Sequence, residues 1–225
     1  MAAQLRLKLD VAAPFRREDF IASASTAEAL AALDRWPKWR GGALALVGPP
    51  GSGKTHLATA WAERAGARML AERHFEPADL LELEGKPVLL EQAEGRGDEL
   101  LFHLINMADR PGGGLLLTAR TPPKAWPAAL PDLRSRLNAL PVAQIDEPDD
   151  IILESVLRKF FRERNIRPTE DVFPYLLRRI ERSAPKALAM VKRLDEAADA
   201  EGRAVSRALA RQILEAEPPT LNLFE

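Results

Sequence analysis

The chain has 225 residues, 46% of them hydrophobic, enough for one large domain or for a core domain with a small appendage. Lys+Arg 32 against Asp+Glu 33 leave a formal net charge of -1, so no global positive field draws the protein onto nucleic acid or an anionic membrane. The absence of Cys excludes disulfides and thiolate metal sites, three scattered His argue against a His-based one, and no run approaches the ~18 apolar residues of a membrane span.

The first residues, "MAAQLRLKLDVAAP", lack the apolar core of a signal peptide, so the expectation is a cytoplasmic protein whose segment 1–20 is an arm. "STAEALAALDRW" then reads as a helix capped by Ser25 or Thr26. "ALALV" (43–47) is a short apolar strand feeding into "GPPGSGKT", and "KTHLATAWAERAGA" follows with helical spacing of Leu57, Ala60, Trp61 and Ala65. Further apolar runs at 67–71, 87–91, 114–119 and 141–145, with the helical "DELLFHLINMADR" before 114–119, predict a parallel sheet covered by helices. After "DEPDD" (146–150) the pattern is helical only. One helix reads "PDDIILESVLRKFFRERN", a second starts near Phe173 because Pro174 suits a first turn, a third runs from Ser183 to Ala200, and a fourth from Ser206 to Glu215. The expected division is an arm at 1–20, an α/β core at 21–147, a helical unit at 148–216 and a tail at 217–225.

"GPPGSGKT" fits the G-x-x-x-x-G-K-[ST] pattern between a predicted strand and a predicted helix. The glycines let backbone N–H groups face phosphate oxygens, the helix start adds its dipole, Lys54 reaches the outer phosphates, and the Thr55 hydroxyl is a ligand for Mg²⁺. Gly48, Pro50, Gly51, Ser52, Gly53, Lys54, Thr55 and His56 are the candidate nucleotide-binding residues, with helix packing the plainer role of His56. Hydrolysis further needs a metal-holding acid at a strand end and a group that activates water. In "VLLEQ" (88–92), Glu91 stands where an Asp is expected and Gln92 where a general base belongs. A neutral amide takes no proton from water at pH 7, so nucleotide binding without efficient turnover is expected, with Glu91 a second candidate Mg²⁺ ligand. If the strand is misplaced, Glu94 or Asp98 is the alternative acid.

"GPPGSGKTHL", "LLLTART" (115–121), "LPDLRSRL" (130–137) and "PDDIILESVLRKFF" together resemble the nucleotide-binding core of the bacterial initiator DnaA, an AAA+ ATPase, over residues 15–216. The expectation is a chain that stops where the initiator would continue into its helix-turn-helix domain, which brings the resemblance closer to the Hda family of short DnaA homologues. The resemblance implies an AAA+ P-loop NTPase core with a small all-helical lid, ADP or ATP with Mg²⁺ as cofactors, and no direct sequence-specific DNA binding. Its implied partners are the initiator DnaA and the polymerase sliding clamp (beta subunit), with a homodimer left open. The implied activity is negative regulation of replication initiation, by stimulating hydrolysis of the ATP bound to DnaA.

Carried over residue by residue, the resemblance puts Thr118 at the sensor 1 position and Arg136 at the arginine-finger position, from which a guanidinium acts in trans on another subunit's nucleotide. Lys186, in "SAPKAL", occupies the sensor 2 position, where the family normally has Arg; lysine keeps the charge without the planar fork. "QLRLKL" (4–9) resembles the family's clamp-binding peptide, with Gln4 for the pocket rim, Leu5, Leu7 and Leu9 as apolar anchors, and Lys8 replacing a proline. "TLNLFE" (220–225) has a similar shape without the leading Gln. Two other readings stay open: a self-sufficient ATPase of helicase-loader type, which Gln92 opposes, and a small-molecule P-loop kinase, which the helical tail opposes. The four Trp read as core anchors, with Trp36 and Trp39 placed where an adenine would stack if it lay upstream of the first strand.

Overall fold

The computed structural model describes residues 22–70, 80 and 82–216. Its centre is a sheet of β1 (Ala43–Val47), β2 (Arg68–Leu70), β3 (Pro87–Leu90), β4 (Gly114–Ala119) and β5 (Val142–Gln144), in the order β2-β3-β4-β1-β5. Every pairing is parallel, with Leu46 of β1 opposite Thr118 of β4 and Leu90 of β3 opposite Leu117. The predicted parallel sheet is therefore present. All residues of β1 and β4 are buried, as runs of Leu and Ala without alternation require. Burial on both faces fails only at the flanks, where β2 and β5 each keep two of three residues exposed because a neighbouring strand covers one side alone.

Alternation of side chains along the strands divides the apolar residues between two layers. Leu44, Leu46, Leu89 and Leu116 face α1 (Ala27–Asp34), through Leu30 and Leu33, and α2 (Lys54–Ala65), through Leu57 and Trp61. Ala45, Val47, Leu90 and Leu117 face α3 (Asp98–Ala108), through Leu101 and Leu104, and α4 (Pro131–Ala139), through Leu133 and Leu137. Trp39 stacks on Trp61 at 5.2 Å, donates its indole N–H to the Ala32 carbonyl and is buried, while Trp36 meets Trp61 edge-on at 5.9 Å. These rings are core anchors, and the stacked face of Trp39 is taken by Trp61 rather than left to a base.

The α1 start differs from the expected cap. Thr26 is the N-cap residue, but its hydroxyl accepts from Ser23 N–H and donates to the Ser23 carbonyl, so it does not cap the helix N–H groups. A hydroxyl three residues from a turn carbonyl bonds backwards as readily as forwards.

Beyond Asp149 the described chain is helical: α5 (Asp150–Glu163), α6 (Val172–Leu177), α7 (Ala184–Glu201) and α8 (Arg207–Glu215). Leu153, Leu157, Phe161, Phe173, Leu176, Val191, Leu194 and Leu209 form their own core. Side chains of Asp149, Ser183 and Ser206 each accept an N–H from the following first turn, so the predicted Ser183 and Ser206 starts are confirmed. Pro174 lies in the first turn of α6, where its missing N–H costs nothing.

Candidate functional site

Parallel sheets present their ligands at the C-terminal ends of the strands, and the chemistry-bearing residues converge there. β1 ends at Val47, the loop 48–53 turns through left-handed Gly51 (φ 75) and Gly53 (φ 96), and Lys54 opens α2. A Cβ on Gly48 would stand 2.4 Å from the Ile145 carbonyl oxygen, so close approach of two backbones forbids any other residue there. Lys54 Nζ folds back over the loop, donating to the Gly48 and Pro49 carbonyls at 2.7 Å each. Burial lowers its pKa, with the nearby Arg120 adding to that effect, while Glu94 and then Glu91 pull the other way. Ser52 is 5% exposed, and its Oγ is buried without a hydrogen-bond partner among the described residues. Pro50 and Thr55 are exposed, and His56 is half-buried on α2.

The second wall is the end of β3. Glu91 follows Leu90 directly, as the sequence predicts, and its Oε1 is buried with no partner among the described residues. Gln92 is exposed and left-handed (φ 52), and its backbone N–H donates to Thr118 Oγ1 at 3.2 Å, which ties the ends of β3 and β4 together. Thr118 is 4% exposed. Glu94 lies one turn on: its Oε1 accepts the Arg120 N–H at 2.9 Å, and its Oε2 is buried with no partner among the described residues. Asp98, the other alternative acid, is occupied elsewhere; its Oδ2 accepts the N–H groups of Ala129 (2.6 Å) and Leu130 (3.3 Å) and shapes the entry to α4.

The start of α7 closes the loop from a third side. Ala184 N–H approaches the Gly51 carbonyl at 3.4 Å, and a Cβ on Gly51 would stand 2.8 Å from both Pro185 Cδ and Ser183 Cβ. Lys186 is one turn into this helix, its backbone N–H on Ser183 Oγ and its Nζ 3.4 Å from Glu181 Oε2 in an exposed pair. The structure thus brings Gly48, Gly51, Ser52, Gly53, Lys54, Glu91, Thr118 and the helix carrying Lys186 to one end of the sheet. Arg136 stands apart on α4: it is exposed, and its guanidinium lies 5.3 Å from the Phe102 ring centroid without a carboxylate partner among the described residues. Its neighbour Arg134 reaches the Lys124 carbonyl at 3.4 Å. Gln4, Leu5, Leu7 and Leu9, and the tail 217–225, lie outside the described residues.

The donor set fits a nucleoside phosphate with a divalent cation. The loop's glycines, Lys54 and three buried unpartnered oxygens point to an anion and its counterion, and Thr55 and Glu91 are the side chains that would hold the cation. Among the described residues no group of three or more His, Cys, Asp or Glu could hold a metal ion, so phosphate oxygens and water would complete such a shell. Among them, too, no helix is long and apolar enough to cross a membrane.

No family model matches the sequence, and no curated protein matches it. Similarity to solved structures is extensive. Domain III of the Thermotoga maritima replication initiation protein DnaA superposes with a TM-score of 0.72 at 17% identity, over 89% of this chain and 95% of that one. A replication initiator DnaA bound to AMPPCP and single-stranded DNA gives 0.63 at 18% identity over 84% and 68%. The Thermotoga maritima RuvB Holliday junction branch migration motor gives 0.68 at 15% identity over 90% and 72%. The fold is that of the AAA+ P-loop NTPases. Sequence reasoning missed the contact of residues 183–185 with Gly51, which joins segments far apart in the chain. It named Glu94 only as a fallback, and the sole signal for it was an acid close behind "EQ".

Proposed function

We propose that this chain is a nucleotide-switched regulator of replication initiation of the Hda type, binding ADP or ATP with Mg²⁺ in the loop 48–55. In this reading it attaches to the sliding clamp through Gln4, Leu5, Leu7 and Leu9 and directs Arg136 at the ATP held by DnaA. The observation that carries the reading is Arg136: an exposed guanidinium on α4 that lies over the Phe102 ring and is free of carboxylates among the described residues. A structural arginine is normally engaged, as Arg158 is by Glu154 and Glu170. A guanidinium supplied in trans offsets charge developing on a transferring phosphoryl group, with effects on the order of 10³–10⁵ in rate. Likeness to DnaA domain III supports the assignment at the level of fold, and Gln92 supports a chain whose own turnover is weak.

Nucleotide would act here as a switch, because the start of α7 rests on the loop that would hold the phosphates and a bound nucleotide would alter the angle between core and helical unit. The test is hydrolysis of labelled ATP prebound to the cognate initiator, with clamp loaded on DNA. This protein is expected to accelerate it, and Arg136→Ala to remove the acceleration while nucleotide and clamp binding persist. Acceleration that survives in Arg136→Ala, or its absence with the wild-type chain, rejects the reading.

A further inference from the structure

The unpartnered oxygens at the sheet edge do not all have a use in the function just proposed. Ser52 Oγ belongs to the phosphate loop and Glu91 Oε1 stands at the expected metal position, but Glu94 Oε2, also buried, has no donor to accept from among the described residues. A buried carboxylate oxygen without a donor is costly and calls for a ligand or water that the site takes up in use. Two contacts place Glu94 beside the phosphate loop. Its other oxygen is fixed by the Arg120 N–H, two residues beyond Thr118, so the carboxylate has one held and one free oxygen. Ala119, between Thr118 and Arg120, accepts the Gly48 N–H at 3.2 Å, so the strand end that holds Glu94 also meets the first residue of the loop. Gln92, at the position where a water-activating acid is expected, is exposed and uses its backbone to bind Thr118.

We propose that Glu94 supplies the carboxylate that Gln92 lacks, orienting and deprotonating the water that attacks the terminal phosphate of a nucleoside triphosphate held by the loop 48–55. The inference rests on the nucleotide-binding part of the function proposed above and adds to it a slow self-hydrolysis. In the step, the water oxygen bonds to the terminal phosphorus as the bond from that phosphorus to the bridging oxygen breaks. The electron pair of the broken bond stays on the departing nucleoside diphosphate, and the water proton passes to Glu94 Oε2 and then to solvent. The chain thereby resets itself to the diphosphate form at a rate set by an acid displaced from the usual place.

Glu94→Gln is the decisive variant, because its amide oxygen keeps an acceptor for the Arg120 N–H while removing the base. The full-length wild-type chain, Glu94→Gln, Gln92→Ala and Lys54→Ala are each mixed with radiolabelled ATP, and single-turnover release of phosphate is followed. Calorimetry gives the affinity of each for ADP. Slow turnover by the wild type is expected, absent in Lys54→Ala, about 100-fold slower in Glu94→Gln as loss of a general base predicts, and little changed in Gln92→Ala. ADP affinity is expected to be unchanged in Glu94→Gln. Equal turnover in Glu94→Gln and wild type overturns the proposal, as does a wild type that holds ATP without turning it over. Loss of ADP affinity together with turnover in Glu94→Gln overturns it too, by making Glu94 a support for the loop. If the wild type binds neither ADP nor ATP, the nucleotide reading itself fails first.

Discussion

The C-terminal edge of the sheet and the helical unit 150–215 satisfy their polar groups in opposite ways. At the edge, Ser52 Oγ, Glu91 Oε1 and Glu94 Oε2 are buried without partners among the described residues, and Lys54 spends its ammonium on carbonyls of its own loop. Among the described residues, no such orphan atom lies in the helical unit. Its N-caps are made by Asp149, Ser183 and Ser206, and Arg158 is clasped by Glu154 and Glu170 while covering the Phe173 ring at 3.9 Å. Each unmade buried hydrogen bond costs about 1–3 kcal/mol, so the edge is tolerable only for what a ligand returns on binding. The helical unit has no such debt, and its stability should depend on packing.

That contrast is broken most directly in the helical core. Phe161 is 1% exposed and meets Phe173 edge-on at 5.9 Å. Phe161→Ala is expected to lower stability by about 3–5 kcal/mol in urea unfolding, with lost transfer energy and a cavity both contributing. A loss below about 1 kcal/mol would mean that the unit is loosely packed and that the contrast is wrong.

A smaller effect is expected where the two regions touch. Gly51→Ala puts a side chain at φ 75, a left-handed conformation costing about 1–2 kcal/mol, and drives its Cβ to 2.8 Å from Pro185 and Ser183. Adjustment of the loop or of α7 is unavoidable, so ADP affinity measured by calorimetry should fall about tenfold or more while the urea midpoint moves less than in Phe161→Ala. Unchanged affinity would separate the start of α7 from the nucleotide site.

What the sequence reveals follows the range of the interaction. The phosphate loop, the buried runs of β1 and β4, and the Ser183 and Ser206 caps are local patterns, each set by residues within a turn of one another. Asp98 looked equivalent to Glu94 in the sequence, and only the fold separates them: one meets Ala129 and Leu130 at the entry to α4, the other meets Arg120 beside the phosphate loop. No periodicity encodes such cross-strand bonds. Thr26 is a local failure of another kind, because a hydroxyl with two nearby backbone choices took the one outside the helix.

The smallest effect is expected at the junction of the two regions, and its pH dependence identifies its source. Burial of Asp149 opposes ionisation, but hydrogen bonds from Ile152 N–H, the Ser23 side chain and the Ile151 and Ser25 backbones outweigh it and hold the carboxyl below the ordinary aspartate value. Ser23 and Ser25 precede α1 and Ile152 lies in α5, so one carboxylate links the core to the first helix of the helical unit. Asp149→Ala should cost about 1 kcal/mol at neutral pH, as loss of a cap predicts. Because the folded pKa lies below the unfolded one, this contribution is complete above the unfolded value of about 4 and disappears as pH falls through the folded value. Urea titrations of wild type and Asp149→Ala should therefore converge on acidification below about pH 4. A gap that persisted once the carboxyl was protonated would assign the effect to helix geometry, and the charge would have no part in holding the two regions together.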